Sequence, residues 1–211
     1  MIEKAKEYVK NLMAGDPSGH DYFHTLRVLN LALTIAGQEQ DADLETVQLI
    51  ALLHDVDDHK LSPQTHENLD NARNFLLDNG VEADKMEIIL ESIRNLSFKG
   101  TGKTVPASLE GKIVQDADRL DAIGAIGIAR TFAYGGSHGT PMHDPGIPPR
   151  IGMTTEEYRS HKGTSLNHFY EKLFRLKETL NTHTAKEMAL HRDAFLHRFV
   201  EEFLAEWDGI R

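Results

Sequence analysis

The residue types best suited to metal chemistry in this 211-residue chain are histidine and aspartate, at three places. Residues 49–53 are all apolar and are followed directly by His54 and Asp55. A segment that is apolar on every side is typical of a buried helix, so the pair should lie at the end of a core helix. Burying an imidazole beside an unpaired carboxylate is costly. A metal cation would be a suitable partner, and the alternative is a helix terminus with solvated acids.

His24 lies in another predicted helix. Steps of one helical turn from His24 reach Val28, Leu31 and Ile35, so the histidine lies on the apolar face of that helix. A single histidine on an apolar face is more often a core residue than a metal ligand. His24 alone therefore indicates little.

A third predicted helix carries Asp116, Asp118 and Asp121 among apolar neighbours. Asp118 and Asp121 are three residues apart and share one face. Packing does not explain three acids on a buried helix, although any one of them could pair with Arg119 or Arg130.

The three helices together offer two histidines and two aspartates. Nitrogen and oxygen ligands of this kind suit Mn²⁺, Fe²⁺, Ni²⁺, Zn²⁺ or Mg²⁺. Four protein ligands around an octahedral ion leave two positions for water and substrate. Such a site can activate water and polarise a phosphoryl oxygen.

This order (histidine, then histidine–aspartate, then aspartate) resembles the HD-domain superfamily of metal-dependent phosphohydrolases. The likeness spans about residues 18–125, and its most specific matches are residues 24–28 (HTLRV), 54–55 (HD) and 117–120 (ADRL). Shorter phrases extend the resemblance, over nearly the whole chain, to a bacterial subgroup often called YedJ/YpgQ-like. These phrases are residues 19–21, 56–59, 93–99 and 167–173.

The resemblance implies an all-α fold, an HD-domain helical bundle with a C-terminal helical extension. It implies that His24, His54, Asp55 and Asp118 bind one divalent ion, with Mn²⁺ favoured and Mg²⁺, Ni²⁺, Fe²⁺, Zn²⁺ or Co²⁺ as alternatives. Asp118 is preferred to Asp116 because it matches the acid before Arg-Leu in family members, including the (p)ppGpp hydrolases. The implied reaction is hydrolysis of a phosphomonoester, phosphodiester or phosphoanhydride.

Several relatives place an acid near the attacking water, three residues after the aspartate of the pair. Here that position is Asp58, where those relatives often have Glu. We predict that Asp58 handles the proton, with Asp121 as the rival.

Cationic side chains near these segments could bind the substrate's phosphate. The candidates are His20, Arg27, Lys99 and Arg150. Arg27 could instead pair with an acid such as Asp57, and Lys99 and Arg150 could simply be solvated surface residues.

Apolar periodicity predicts helices nearly throughout a single HD phosphohydrolase domain covering residues 1–211. The predicted helices are 2–14, 19–37, 43–56, 63–79, 83–98, 106–135, 154–180 and 182–208. Residues 135–152 are rich in Gly and Pro and predict a long loop, which is either a lid over the site or a tolerated surface insertion. The helices from 154 to 208 form the predicted extension.

Composition narrows the class of function. The net charge of −10 disfavours binding to long nucleic acid, which needs an excess of Lys and Arg. There is no cysteine, which excludes disulfides and thiolate chemistry. No long apolar run predicts a membrane span, and the N-terminus lacks the apolar core of a signal peptide, so the cytoplasm is the expected location. Aromatic residues on the last helix are expected in the core or in a homodimer contact.

The subgroup resemblance favours a nucleoside triphosphate pyrophosphohydrolase. Alternatives are a 5′-nucleotidase or a phosphodiesterase of cyclic nucleotides or alarmones. Two further alternatives belong to other classes: a non-catalytic, metal-containing nucleotide-binding or sensor protein, and an interaction scaffold that uses the last helix.

Overall fold

The structure is a computed structural model that describes residues 1–14, 21–59, 61–97, 104–151 and 163–211. Regular secondary structure in these ranges is helical throughout, which confirms the all-α fold class. Backbone contacts divide the chain into two compact units. The first comprises Met1–Ser97 and Thr104–Asp118, and the second includes Arg119–Arg211. A single domain over residues 1–211 stays a prediction.

Six helices begin within the described residues of the first unit, and the last of them ends in the second. They are α1 (Ile2–Leu12), α2 (Tyr22–Ala36), α3 (Leu44–Leu53), α4 (Asp70–Asp78), α5 (Ala83–Leu96) and α6 (Leu109–Asp121).

Helix α3 is the centre of the first unit, packing against α1, α2 and α5. Residues 49–53 at its C-terminal end have no exposed surface, which confirms the core position predicted from their apolar run. Burying each Leu or Ile side chain stabilises the fold by about 1.5–3 kcal/mol relative to leaving it in water. His54 and Asp55 follow directly, so the core holds their backbone.

Two aspartates cap the N-termini of α2 and α3. The side chain of Asp21 accepts a hydrogen bond of 2.8 Å from the backbone N–H of His24 and caps α2. Asp43 caps α3 by accepting hydrogen bonds from the Glu45 N–H (3.1 Å) and the Thr46 hydroxyl (2.6 Å). Each cap gives an acceptor to donors that a helix leaves unpaired in its first turn.

Helix α6 lies against the end of α5. A Cβ atom at Gly111 would lie 2.4 Å from Ser92 Oγ, so this close approach requires glycine. The Gln115 amide donates to the carbonyl oxygens of Asn95 (2.8 Å) and Thr104 (2.9 Å). Ile113, Val114 and Ala117 are fully buried. These buried residues confirm that this helix packs in the core, as its apolar neighbours predict.

Two predicted helices have the wrong bounds. The predicted helix 106–135 is two helices, α6 and α7 (Gly124–Ser137). The chain breaks between them because Gly124 adopts a φ of +76°, in the left-handed region that a helix interior excludes. The predicted helix 63–79 begins only at Asp70, after Leu69 with a φ of 57°.

The predicted extension is also less regular than expected. Residues 154–162 lie outside the described ranges, and the rest of the predicted helix 154–180 changes type along its length. It contains a π-helical turn (Phe169–Leu173), an α-helical turn (Phe174–Leu176) and a 3₁₀ turn (Lys177–Thr179). The predicted loop 135–152 begins later than expected, because α7 continues to Ser137.

The last helix, α8 (His183–Trp207), packs against α7 in the second unit. Phe199 and Phe203 join a cluster with Phe132 of α7, at ring-centroid distances of 5.8 and 5.9 Å. Phe195 and Trp207 are 38% and 45% exposed. Part of the aromatic face is therefore packed inside this unit, and a homodimer through the remainder stays a prediction. None of the helices in the described ranges has the length and apolar character needed to cross a bilayer.

The cap of α3 makes a testable contribution to stability. We expect Asp43→Ala to lower the free energy of unfolding by about 1 kcal/mol at neutral pH, because the N-cap hydrogen bonds are lost. The pKa of Asp43 is lowered from 3.8 to about 2. The hydrogen bond from Thr46 is the largest cause, burial acts in the opposite direction, and Lys85 and the Glu45 N–H lower the pKa further.

A lowered pKa means that the folded state favours the Asp43 carboxylate, so its contribution is present above pH 3.8 and is lost as the pH falls through about 2. Urea unfolding of both proteins at stepped pH measures this effect. The difference between wild type and Asp43→Ala should narrow across that window. A difference that stays constant down to the lower pH would contradict the assigned role of the charge.

Candidate metal centre

Three helices of the first unit bring two imidazoles and two carboxylates together. His24 lies in the first turn of α2, where the Asp21 cap binds its backbone N–H. His54 is the C-cap residue directly after α3, and Asp55 follows it. Asp118 lies in the last turns of α6.

Their polar atoms lie near one another. The Nε2 atoms of His24 and His54 are 3.3 Å apart. Asp55 Oδ2 lies 3.2 Å from His54 Nε2 and 3.5 Å from His24 Nε2. Asp118 Oδ1 lies 3.5 Å from His24 Nε2.

The separations among His24, His54 and Asp55 fit a single divalent ion, whereas Asp118 is close to His24 Nε2. Ligand atoms bound to one octahedral ion at about 2.1 Å lie about 3 Å apart in adjacent positions. In addition, two imidazole nitrogens 3.3 Å apart in a buried place repel each other unless a proton or a cation lies between them. His24, His54 and Asp55 by themselves have the proximity of a metal-binding group.

Exposure increases across the cluster. The side chains of His24, His54 and Asp55 are 0%, 3% and 13% exposed, whereas that of Asp118 is 33% exposed. The cluster is therefore closed on the histidine side and meets solvent at Asp118. Water and a small substrate could approach from that side.

The surroundings of His54 favour cation binding. Its Nδ1 lies 2.8 Å from the carbonyl oxygen of Ala51, so Nδ1–H is the donor there and Nε2 is the nitrogen that faces the cluster. Burial by itself lowers the pKa of His54, but the carboxylates of Asp55 and Asp118 raise it, to about 9 overall. The two carboxylates thus stabilise positive charge at this point, and a divalent ion would satisfy them in place of the proton.

Other predicted site residues lie near the ligands in sequence. Asp58 is half-buried one turn after Asp55, and its N–H donates to the Asp55 carbonyl oxygen at 3.0 Å. Arg27 is half-buried on α2, three residues after His24. His20 and Lys99 lie outside the described residues.

Asp121 and Arg150 belong to the second unit. Asp121 is buried, and its Oδ2 accepts a hydrogen bond of 2.7 Å from Arg130. This is one of the two pairings that the sequence left open for the acids of this helix. The Arg150 side chain is exposed, and its backbone N–H donates to the Glu171 carboxylate at 3.1 Å.

Loop 138–151 is held by residues that sequence reasoning missed. The amide of Asn167 donates to the Ile147 carbonyl oxygen at 2.8 Å, and Glu171 accepts from Arg150. Asn167 and Glu171 are 3% and 7% exposed. Both lie in a phrase noticed only for its resemblance, since nothing local in the sequence indicates which loop they bind. A lid function for this loop stays a prediction.

Asp57 was also missed as a structural residue. The sequence indicates it only as a possible partner for Arg27, yet its carboxylate is buried and accepts hydrogen bonds from the backbone N–H groups of Asn71 and Ala72.

The sequence matches the model of the HD-domain family over residues 21–123. It is also 37% identical to the uncharacterized protein YpgQ of Bacillus subtilis (strain 168) over 210 residues, which is 99% of this chain and 94% of YpgQ. The chain belongs to the HD-domain family. The resemblance predicted from the His, His-Asp and Asp segments is confirmed, including the YpgQ-like subgroup.

Solved structures of similar chains have the same fold. A protein from Lactobacillus plantarum superposes with a TM-score of 0.88 and 44% identity, over 99% of this chain and 97% of its own. An HD-superfamily hydrolase from Bacillus thuringiensis superposes with a TM-score of 0.76 and 41% identity, over 98% of this chain and 96% of its own. Bacillus subtilis YpgQ in complex with ADP superposes with a TM-score of 0.76 over the whole of both chains, and the superposed structures are 30% identical in sequence.

Proposed function

We propose that this HD-domain protein is a divalent-metal-dependent phosphohydrolase that acts on a nucleotide. The observation that carries the proposal is the convergence of His24, His54, Asp55 and Asp118 from three helices, with polar atoms 3.2–3.5 Å apart along the cluster. This donor set suits a hard or borderline divalent ion, with Mn²⁺ favoured.

The relatives support the class of reaction and substrate. One of them is an HD-superfamily hydrolase, and another forms a complex with ADP. The net charge of −10 favours a small substrate over long nucleic acid. Within the nucleotides we favour triphosphates, with release of pyrophosphate.

A divalent ion bound by the four residues would supply Lewis acidity, by lowering the pKa of water and polarising a phosphoryl oxygen. The protein's own groups do the rest. The Ala51 carbonyl oxygen fixes the orientation of the His54 ring. Asp118, the most exposed of the four, lies where water and substrate can approach.

Of the two candidates we favour Asp58 as the proton acceptor, because its half-buried side chain follows the proposed ligand Asp55 by one turn. Arg27 is a candidate to bind phosphate, being half-buried on α2 close in sequence to His24. His20, Lys99 and Arg150 remain further candidates for that role.

Removing one ligand tests the metal and the reaction together. We expect Asp118→Ala to bind Mn²⁺ and to hydrolyse a nucleotide panel more than about 100-fold less well than wild type, because a direct ligand is lost. Alanine favours a helix, so α6 should persist. Metal content, and release of phosphate or pyrophosphate, are measured on the same samples.

Asp84→Ala is the matched control, because it removes an exposed acid from the first turn of α5. It should leave both quantities unchanged. Equal hydrolysis by Asp118→Ala and wild type would refute the ligand assignment. Metal binding by wild type without turnover of any nucleotide would favour the sensor alternative instead.

The proton acceptor is tested separately. Asp58→Asn retains the size of the side chain but cannot take up a proton at neutral pH. We expect it to bind Mn²⁺ normally, while kcat falls by about 10²–10⁴-fold. Asp58→Glu should recover most of the rate, since a carboxylate is restored. If Asp58→Asn turns over at the wild-type rate, the proton is handled elsewhere and Asp121 becomes the candidate.

A further inference from the structure

Asp57 is a buried carboxylate between two residues of the proposed site, Asp55 and Asp58. Its side chain belongs to a different interaction. Oδ1 accepts a hydrogen bond from the Asn71 backbone N–H at 3.0 Å, and Oδ2 accepts one from the Ala72 N–H at 2.9 Å. Asp57 is only 2% exposed.

These two bonds replace a missing helix cap. The N-cap position of α4 is Leu69, whose side chain has no acceptor and whose φ of 57° lies in the left-handed region. The first N–H groups of a helix need acceptors from outside it. Asp57 supplies them from 14 and 15 residues upstream, and its negative charge meets the positive end of the helix dipole.

Asn71 of α4 also binds the turn after α3 through its side chain. Its amide donates to the Val56 carbonyl oxygen at 3.0 Å and to the Thr65 hydroxyl at 3.1 Å. The peptide between Val56 and Asp57 is therefore held on both sides by the first turn of α4. We call these hydrogen bonds the Asp57–Asn71 clamp.

The turn that carries the proposed ligand has little regular structure of its own. Helix α3 ends at Leu53 with His54 as its C-cap. The next backbone hydrogen bonds close single turns, from the Val56 N–H to the Leu53 carbonyl oxygen (3.3 Å) and from the Asp58 N–H to the Asp55 carbonyl oxygen (3.0 Å). A metal ligand must be held within about 0.5 Å of its productive position. The clamp is a tertiary contact that holds this turn immediately after Asp55, and the His66 ring, whose Nδ1 lies 2.9 Å from the Asp57 carbonyl oxygen, is another.

We infer that Asp57 and Asn71 are positioning residues for the metal centre, acting through the backbone that carries Asp55 and Asp58. This inference rests on the proposed function. The competing view is that Asp57 merely caps α4 and contributes only to global stability.

Matched variants separate the two views. Asp57→Ala is paired with Asp43→Ala, which removes the cap of α3 at the end opposite His54. Asn71→Ala is paired with Asn79→Ala, which removes a hydrogen bond of 2.9 Å to the Phe75 carbonyl oxygen at the other end of α4.

The Mn²⁺ affinity of each protein is measured by titration, with electron paramagnetic resonance as the readout. The thermal unfolding temperature of each metal-free protein is measured alongside it. All four variants should unfold at lower temperature than wild type. Only Asp57→Ala and Asn71→Ala should also weaken Mn²⁺ binding, by about tenfold or more, as expected when groups that orient metal ligands are lost. Asn71→Ala keeps the test valid if Asp57→Ala does not fold.

Affinity losses no larger than those of the paired controls would overturn the inference. If wild type binds no Mn²⁺, the proposed function fails. Amide hydrogen exchange of the metal-free protein then tests separately whether the clamp holds the turn after Asp55. Asp57→Ala should then accelerate exchange at the Asp58, Leu61 and Ser62 amides, which bond within the turn. Acceleration confined to α4 would overturn the inference in that case.

Discussion

The close approach of two buried imidazole nitrogens is the constraint on which the rest of the site depends. His24 Nε2 and His54 Nε2 lie 3.3 Å apart where almost no solvent reaches, with carboxylates of Asp55 and Asp118 beside them. In such a place the charges must be balanced locally, because water is not present to do so. The buried end of α3 keeps water away from this place. The Asp21 cap holds the first turn of α2 through the His24 N–H. The close contact at Gly111 holds α6, the helix of Asp118, against α5.

Acids of one chemical type acquire different roles through their partners. Asp55 faces the two imidazoles, Asp57 binds the N-terminus of α4, and Asp58 keeps a half-exposed side chain. In the second unit, Asp121 pairs with Arg130. Proximity in sequence therefore does not imply a common function. The turn after α3 separates a proposed ligand, a structural acid and a proposed proton acceptor within four residues.

The parts of the site that the sequence predicts are those with a local signal. An all-apolar helix belongs in the core, so the position of His54 and Asp55 followed from residues 49–53. Asp118 could be chosen over Asp116 only through family resemblance, because helical spacing alone leaves both open. The break at Gly124 and the late start of α4 depend on positive φ values, which the apolar pattern does not report. The cap by Asp57 comes from 14 residues away, so no adjacent motif marks it.

The most direct test of the account is to locate the ion itself. Crystals grown with Mn²⁺, with anomalous data collected near the manganese edge, would give its position. The account predicts one strong anomalous peak within bonding distance of His24 Nε2, His54 Nε2, and carboxylate oxygens of Asp55 and Asp118. No peak at this position, or a peak bound by carboxylates elsewhere without either imidazole, would contradict the central claim that the two histidines approach each other in order to bind a metal.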